Sequence, residues 1–480
     1  MTAPWKCIAA ISLVGISSLS KASDHQLTLN DCHLEGIKQQ VQCGKLEVPE
    51  NYKQQKGKKI SINFAVLPAI DNSQNNEPLM FLAGGPGQAA VSLAGGIYKA
   101  FNEVRKTRDL ILVDQRGTGE SNPLQCKNAE ELDPYTNLPS DFSVEEIKTC
   151  LSQLDGDLSQ YTSENAIRDF DAVREALGHE KIAIYGGSYG TRAGLVYMRM
   201  FPESLTSVIL DSVGPIEVPI GLFGKSAERS FNMLLENCQT EDSCQQAYPN
   251  LATEFEQVKK ALAEEPVTVS IPHPRLGTPI AMKVDEQKFV STIFSQLYSV
   301  EMRSLVPLII HQASTGNFAP LAGSTAAGDI GEGMYMGLTF NILCNEDVPR
   351  ISESNWEDDA KNTFNGSIGQ YGLKLACPLW PKYNVDSEFY QPVTEDIPTL
   401  IISGDLDPVT PPSNAEYSDS TLPNSKHIVM PHSSHTPGVQ PCAMEMINEF
   451  LKTQNPNELD DACIADIPPE SFMTSLNGGV

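Results

Sequence analysis

At 480 residues, with charged side chains forming 20% of the chain and apolar ones 40%, the composition is that of a folded globular protein and excludes a disordered chain or a membrane bundle. Such a length corresponds to about two or three domain-sized units, or to one large core with an insertion. The balance of 34 lysines and arginines against 61 aspartates and glutamates gives a net charge of −27, which repels phosphate backbones, so no nucleic-acid partner is expected.

Taken in chain order, the first feature is an address. Lys6 precedes an apolar run from Cys7 to Leu19, and Ser20-Lys21-Ala22 places small residues where a signal peptidase reads them. Residues 1–22 are therefore expected to be a signal peptide, removed on export to a periplasm or the surrounding medium. The run is too short to span a bilayer, and no later stretch reaches the ~18 apolar residues that a spanning helix needs, so no membrane anchor is expected after cleavage. With Cys7 set aside, the other cysteines form an even set in neighbouring pairs. Local disulfides in an oxidising compartment follow, with Cys32–Cys43, Cys126–Cys150, Cys238–Cys244, Cys344–Cys377 and Cys442–Cys463 as the expected pairing. Neither Cys-x-x-Cys nor His-Glu-x-x-His occurs, so no metal and no cofactor is expected.

Lys59 to Leu67 alternates, with Ile60, Ile62, Phe64 and Val66 on one side, as a half-buried strand in an opening hairpin does. The runs Leu79 to Leu82, Leu110 to Val113, Ile182 to Tyr185, Val208 to Leu210 and Leu400 to Ile402 are instead continuously apolar. Strands buried on both faces read this way, which predicts a mostly parallel sheet flanked by helices. The clearest helix runs from about Glu164 to Leu177, with Ile167, Phe170, Val173 and Leu177 on one face and Gly178 to end it. From residue 216 to 390 the strand–helix rhythm lapses, and helical stretches such as Ser226 to Leu235 and Glu254 to Ala263 predict a mainly helical lid. The glycine-rich patch from Gly323 to Gly337 is read as a mobile loop or a series of tight turns. The expected organisation is a signal peptide (1–22), a first part of the core (23–215), a lid (216–390) and a C-terminal part of the core (391–480).

Gly186-Gly187-Ser188-Tyr189-Gly190 follows the strand ending at Tyr185 and precedes a helical run from Thr191 to Met200. That strand–turn–helix context is what a nucleophile elbow requires, and it predicts the α/β-hydrolase fold, an α/β class, with the lid inserted before the last strands. A serine hydroxyl needs a base within reach and a carboxylate to fix that base's tautomer. In this fold the partners follow the serine in the order acid, then histidine. Gly404-Asp405-Leu406-Asp407-Pro408 follows the strand at Leu400 to Ser403, and makes Asp407 the expected acid with Asp405 as competitor. Lys426 to Met430 is followed by a loop carrying His432 and His435, of which His435, beside Pro437 and Gly438, is the expected base. The developing oxyanion needs preset amide donors. Tyr189, after the nucleophile, is expected to supply one, and Gly85 in Ala83-Gly84-Gly85-Pro86-Gly87-Gln88 the other.

At these residues the chain resembles the prolyl aminopeptidase and tripeptidyl aminopeptidase family of α/β-hydrolase serine peptidases, in particular its secreted bacterial members. Gly84-Gly85-Pro86-Gly87 resembles the family's glycine–proline oxyanion motif, and Asp114 to Ser121 the segment after its next strand. Gly187 to Arg192 resembles the nucleophile region and Gly404 to Pro411 the acid loop. Cys442, the helical run Met444 to Leu451 and Cys463 are similar to the end of the tripeptidyl branch. Ala83 stands where the prolyl branch has a histidine, and Ser434 where a glycine usually precedes the base, so the resemblance carries no strictly prolyl preference. It implies an exported exopeptidase that cleaves short peptides from a free amino terminus. An acid in the lid should then hold the substrate's ammonium: Glu346 is the first candidate, with Asp347 and Glu217 beside it. The alternative is an esterase or other acyl hydrolase, because one fold hosts many chemistries on one triad.

Overall fold

The apolar runs fold as strands in the computed structural model, which describes residues 27–478 apart from 55, 75, 126–142, 273–276 and 328–332. The expected signal segment and Cys126 lie outside the described residues. In chain order the strands are β1 (Thr28–Cys32), β2 (Val41–Pro49), β3 (Lys59–Leu67), β4 (Leu79–Leu82), β5 (Leu110–Val113), β6 (Ile182–Gly187), β7 (Leu205–Asp211), β8 (Val267–Pro272), β9 (Pro279–Val284), β10 (Thr399–Gly404) and β11 (Ser425–Met430). Among the described residues they make a nine-stranded sheet in the order β1-β2-β3-β5-β4-β6-β7-β10-β11, and a separate β8-β9 pair. From β5 to β11 every neighbour is parallel, while β1, β2, β3 and β5 pair antiparallel.

Alternate residues of the inner strands face two different cores, which is why their sequences do not alternate. Ile184, Val208 and Leu210 pack with Ile167, Phe170 and Val173 of the helix Ser163–Ala176. Ala183, Tyr185 and Ile209 pack with Met446, Ile447 and Phe450 of the helix Pro441–Thr453 on the other face. The helix Ser163–Ala176 starts where the Thr162 hydroxyl accepts the Asn165 amide at 3.2 Å, and stops before Gly178, whose φ is +81°. One of its buried polar residues, Asp169, has a definite purpose. The Arg116 guanidinium grips it through two bonds of 2.6 and 2.7 Å and also donates to the carbonyls of Glu50 and Gln160, so both charges are fully buried and fully bonded.

The chain leaves the sheet after β7 and builds a second apolar core from Phe231, Phe255, Phe289, Ile293 and Leu321. Helices Gly224–Thr240, Leu251–Glu264, Glu286–Gln296 and Val306–Ser314 form most of it. The segment expected to be mainly helical also holds the antiparallel β8-β9 hairpin, whose Met282 and Val284 enter this core. Phe472, far along the chain, crosses back to the same core, where it is 1% exposed. The patch Gly323 to Gly337 corrects the expectation of a loop or turns at both its ends. Gly323 lies inside the helix Ala319–Ala327 and Gly337 inside Met336–Ile342, where a Cβ would collide with the Leu124 carbonyl.

Disulfides join Cys32 to Cys43, Cys238 to Cys244, Cys344 to Cys377 and Cys442 to Cys463, and Cys150 is also disulfide-bonded. No helix among the described residues is long and apolar enough to cross a membrane. Because removal of one partner would strand a buried cation, Asp169→Ala is expected to destabilise the fold by about 3–5 kcal/mol. Guanidinium unfolding checks this, and a loss below about 1 kcal/mol would show that Arg116 finds other compensation.

Candidate active site

The sheet order reverses between β4 and β6: the chain runs from β4 to β5 on one side, then crosses to β6 on the other. A crevice forms at the carboxyl ends of strands around such a switch point. Gly84 and Gly85 follow β4, Ser188 follows β6, Asp407 follows β10 and His435 follows β11.

Ser188 sits between β6 and the helix Tyr189–Met200 with φ 55° and ψ −123°, a backbone state that costs a non-glycine residue about 1–3 kcal/mol. Its surroundings hold the turn. A Cβ on Gly186 would collide with the Gly190 carbonyl, and one on Gly190 with the Leu82 carbonyl, so only glycine permits this approach of β4, β6 and the helix. The Ser188 amide donates to the Asp211 carbonyl at 2.9 Å. Its hydroxyl is half-buried and bonds no other described residue.

Asp407 is completely buried and fully bonded. One oxygen accepts the amides of Val409 and Thr410, both at 2.8 Å. The other accepts the Thr410 hydroxyl and meets His435 Nδ1, each again at 2.8 Å. Burial alone would raise this carboxyl, but the adjacent imidazole and the two amides outweigh it and hold Asp407 below the ordinary carboxylate range. For His435 burial works toward the neutral form, and the charge and hydrogen bond of Asp407, with a smaller contribution from Asp211, win and raise it. With Nδ1 engaged by Asp407, Nε2 is the free basic atom. The His435 amide donates to the Tyr298 carbonyl at 3.1 Å, and the Tyr298 ring stands edge-on to the imidazole at 5.2 Å.

The competitors have other partners. Asp405 accepts the Ser433 amide at 3.2 Å and so shapes the histidine loop, and His432 occupies a left-handed turn at φ 53° in that loop. Ser188 and His435 share no direct hydrogen bond, but their loops adjoin: a Cβ on Gly187 would lie 3.6 Å from the Thr436 methyl. A Cβ on Gly84 would lie 3.3 Å from Ser188 Cβ, which brings the glycine loop against the Ser188 turn. Neither the Gly85 nor the Tyr189 amide has an acceptor among the described residues.

Glu346 lies farther back, 1% exposed, in a π-helical turn at Leu343–Asp347. It accepts the Ser163 amide at 2.9 Å and the Ser163 and Tyr383 hydroxyls, and Ser163 in turn bonds the Tyr189 hydroxyl. Burial pushes it up to about 7 against the bonds from Ser163. Asp347 is neutralised by Arg192 and Arg350 at 2.6 and 3.2 Å, and Glu217 is half-buried with its carbonyl bonded by Arg350. No cluster of three His, Cys, Asp or Glu suited to a metal occurs among the described residues.

Sequence reasoning missed Thr410, whose hydroxyl touches both Asp407 and His435, and Arg229, which donates to the carbonyls of Asp405 and Asp407. Thr410 stands three residues after its acid, where a side-chain-to-side-chain turn was the available signal. Arg229 carries no local signal at all.

A mostly parallel sheet with helices on both faces and the polar residues gathered at its carboxyl edge defines an α/β hydrolase. The chain belongs to the family of the α/β-hydrolase fold, whose model matches residues 77–325, and residues 364–463 match the model of TAP-like proteins. It is 28% identical over 222 residues to the serine protease Hip1 of Mycobacterium tuberculosis, covering 42% of each chain. It is 28% identical over 214 residues to the tripeptidyl aminopeptidase of Streptomyces lividans, covering 40% of this chain and 39% of that one. A putative hydrolase YuaR of Escherichia coli K12 is 22% identical over 399 residues, 79% of each chain. The chain thus matches less than half the length of the first two relatives.

Were His435 the base that serves Ser188, it would have to be neutral to do so, and because its value is raised, reaction of Ser188 with a fluorophosphonate should rise with pH through a midpoint above ~6.5, the ordinary imidazole value. Asp407→Asn should slow that reaction about 10³–10⁴-fold in a folded protein. A rate within tenfold of the unaltered protein would remove Asp407 from the chemistry.

Proposed function

We propose that the chain is an exported serine exopeptidase that releases one or a few residues from the free amino terminus of short peptides. The bond of 2.8 Å between the buried Asp407 and His435, at the sheet edge that carries the strained Ser188, is the observation on which this reading stands. In it Ser188 Oγ attacks the scissile carbonyl carbon while His435 Nε2 takes its proton. Asp407 holds the imidazole in the required tautomer and stabilises the imidazolium. The Gly85 and Tyr189 amides take the oxyanion, and the Tyr189 amide adds the positive end of its helix. Collapse of the tetrahedral intermediate breaks the carbon–nitrogen bond, with His435 returning the proton to the leaving amine. Water then hydrolyses the acyl-serine by the same route.

Export rests on residues 1–22 and is supported by disulfides, which persist in oxidising compartments. The peptidase reading is supported by relatives named tripeptidyl aminopeptidase and serine protease. Residues 216–390 would act as the lid over the site. For the substrate's ammonium, Glu346 is the best placed of the three acids: its bonds come from neutral donors, whereas Asp347 is already paired with arginines. A cation there would also stabilise a carboxylate that burial penalises.

Ser188→Ala is expected to lose at least about 10⁴-fold in turnover. A panel of free-amino peptides, amino-blocked peptides and short-chain esters, read by mass spectrometry, tests the substrate class. Release of amino-terminal fragments from unblocked peptides supports the exopeptidase, and faster turnover of blocked peptides or esters replaces it with the acyl-hydrolase alternative. Glu346→Gln keeps an acceptor for the Ser163 amide and removes the charge, so KM for unblocked peptides should rise about tenfold or more with little change for esters. An equal effect on both would exclude Glu346 from ammonium recognition.

A further inference from the structure

Among the buried carboxylates that the proposed mechanism leaves unused, one is bonded to the loops of both Ser188 and His435. Asp211 ends β7, is completely buried, and has no role in the sequence reading beyond the edge of an apolar strand. Its backbone carbonyl accepts the Ser188 amide at 2.9 Å. Its Oδ2 accepts the amide of Gly438, three residues past His435, at 3.0 Å, and also the Tyr185 hydroxyl. Oδ1 has no hydrogen-bond partner among the described residues. Ser212, the next residue, stands in a left-handed conformation at φ 63°. Its amide donates to the Ile402 carbonyl of β10 at 2.8 Å, and its hydroxyl accepts the Thr436 amide at 2.8 Å.

Two adjacent residues therefore hold the amide of the nucleophile, two amides of the loop that carries the base, and the strand that delivers the acid. The fit is tight, since a Cβ on Gly438 would come within 2.6 Å of Asp211 Oδ2 and 2.8 Å of the Tyr185 hydroxyl. Tyr185 is itself fixed by stacking on Phe81 at 5.3 Å and by the edge of Phe101 at 4.9 Å.

We propose that the Asp211–Ser212 dipeptide is the positioning element that keeps Ser188 and His435 at reacting distance, and that the Asp211 carboxylate acts through space as a second negative charge on the imidazole. Neither residue touches substrate. The inference rests on the assignment of Ser188 and His435 made above. A left-handed Ser212 is the means by which one short segment serves both loops: the reversal turns its hydroxyl to the Thr436 amide while Asp211 stays in register with β6 and β10. His435 is bonded by Asp407 and Thr410 from the loop after β10 and met edge-on by Tyr298, while the Asp211 carboxylate of β7, held on the Gly438 amide three residues further along the same loop, adds its charge. Tyr185 of β6 faces Asp211, and Arg229 lies behind Asp407. Asp407 and Asp211 are the acids in this set. Removing Asp211's charge must lower the pH at which His435 becomes a base.

The test is the second-order rate of fluorophosphonate labelling at Ser188, measured across pH in the full-length protein, which needs no knowledge of the substrate. Asp211→Asn keeps an oxygen for the Gly438 amide and removes the charge; it should move the midpoint of the pH profile down by about half a unit or more. Ser212→Ala keeps the charge and removes the acceptor for Thr436; it should lower the plateau rate at least tenfold and leave the midpoint in place. An unmoved midpoint in the first variant, or a plateau within twofold of the unaltered protein in the second, overturns the corresponding half of the proposal. Should Asp211→Asn fail to fold, Tyr185→Phe removes a bond that steadies the same carboxylate, and an unchanged labelling rate in that variant counts against the positioning role. Failure of the underlying assignment looks different: unaltered protein that is not labelled at Ser188, or a His435→Ala variant labelled at the full rate.

Discussion

The left-handed serine at the end of β6 is the constraint to which the rest of the site is fitted. A turn that costs about 1–3 kcal/mol persists only where its neighbours over-determine it. Here the neighbours are the parallel ladders on both sides of β6, the contacts that only Gly186 and Gly190 allow, and the bond from the Ser188 amide to β7. Strands that lie about 4.8 Å apart and are buried on both faces cannot slide without exposing apolar surface on two cores at once. The spacing of the loops at their carboxyl ends is therefore inherited from the sheet.

The segment that follows β7 is bound to the loops at the carboxyl edge through backbone groups. Arg229 donates to the carbonyls of Asp405 and Asp407, and the Ser230 hydroxyl to that of Leu406. The Tyr298 carbonyl takes the His435 amide and the Leu297 carbonyl takes the Ser434 hydroxyl. On the opposite side Tyr335 donates to the Gly87 carbonyl at 2.9 Å and the Thr339 hydroxyl to that of Pro86. Each such group would be costly if left buried and unpaired. These segments therefore stand against the site, and a segment that swung away as one body would have to break bonds to all three loops. The C-terminal segment reinforces the arrangement. Glu470 pairs with Arg303 in a buried bridge at 2.5 Å, and Arg303 also holds the Ser230 hydroxyl at 2.8 Å, which links the chain's end to the acid loop through two intermediates.

What was legible in the sequence follows from which interactions leave a local trace. Burial on both faces turns strands into continuous apolar runs, so β4 and β5 were readable to the residue and β6, β7 and β10 to within a few. The elbow was readable because strand, turn and helix are contiguous there. The loops after the last two strands were the expected sources of an acid and a histidine, and Asp407 and His435 from those loops meet at 2.8 Å. The β8-β9 hairpin was missed although Val267, Val269 and Ile271 alternate with exposed neighbours as a half-buried strand does, because the helical stretches on either side of it set the reading of the whole segment. Gly337 read as part of a loop because glycine's use in close helix packing looks, in sequence, like its use in turns, whereas Gly323 stands in a helix with open space where a Cβ would be. Arg229, Ser212 and Asp211 act across large separations through backbone partners, which no periodicity records. Asp211 was further disguised as the polar end of an apolar strand.

Two carboxylates flank one imidazole in this dry site, and their surroundings separate their behaviour. Asp407 has four donors, so it is ionised throughout the neutral range and fixes the tautomer of His435. Asp211 has its donors on one oxygen only, and burial, partly opposed by Tyr185, Gly438 and His435, pushes it up to about 7. In the proposed mechanism an imidazolium forms when Ser188 gives up its proton, and the two acids meet it differently: Asp407 by a direct bond of 2.8 Å, Asp211 only through space from its place on the Gly438 amide. The same burial that makes Asp211 expensive as an anion lets its charge reach further, because a low-dielectric interior screens it less than water would.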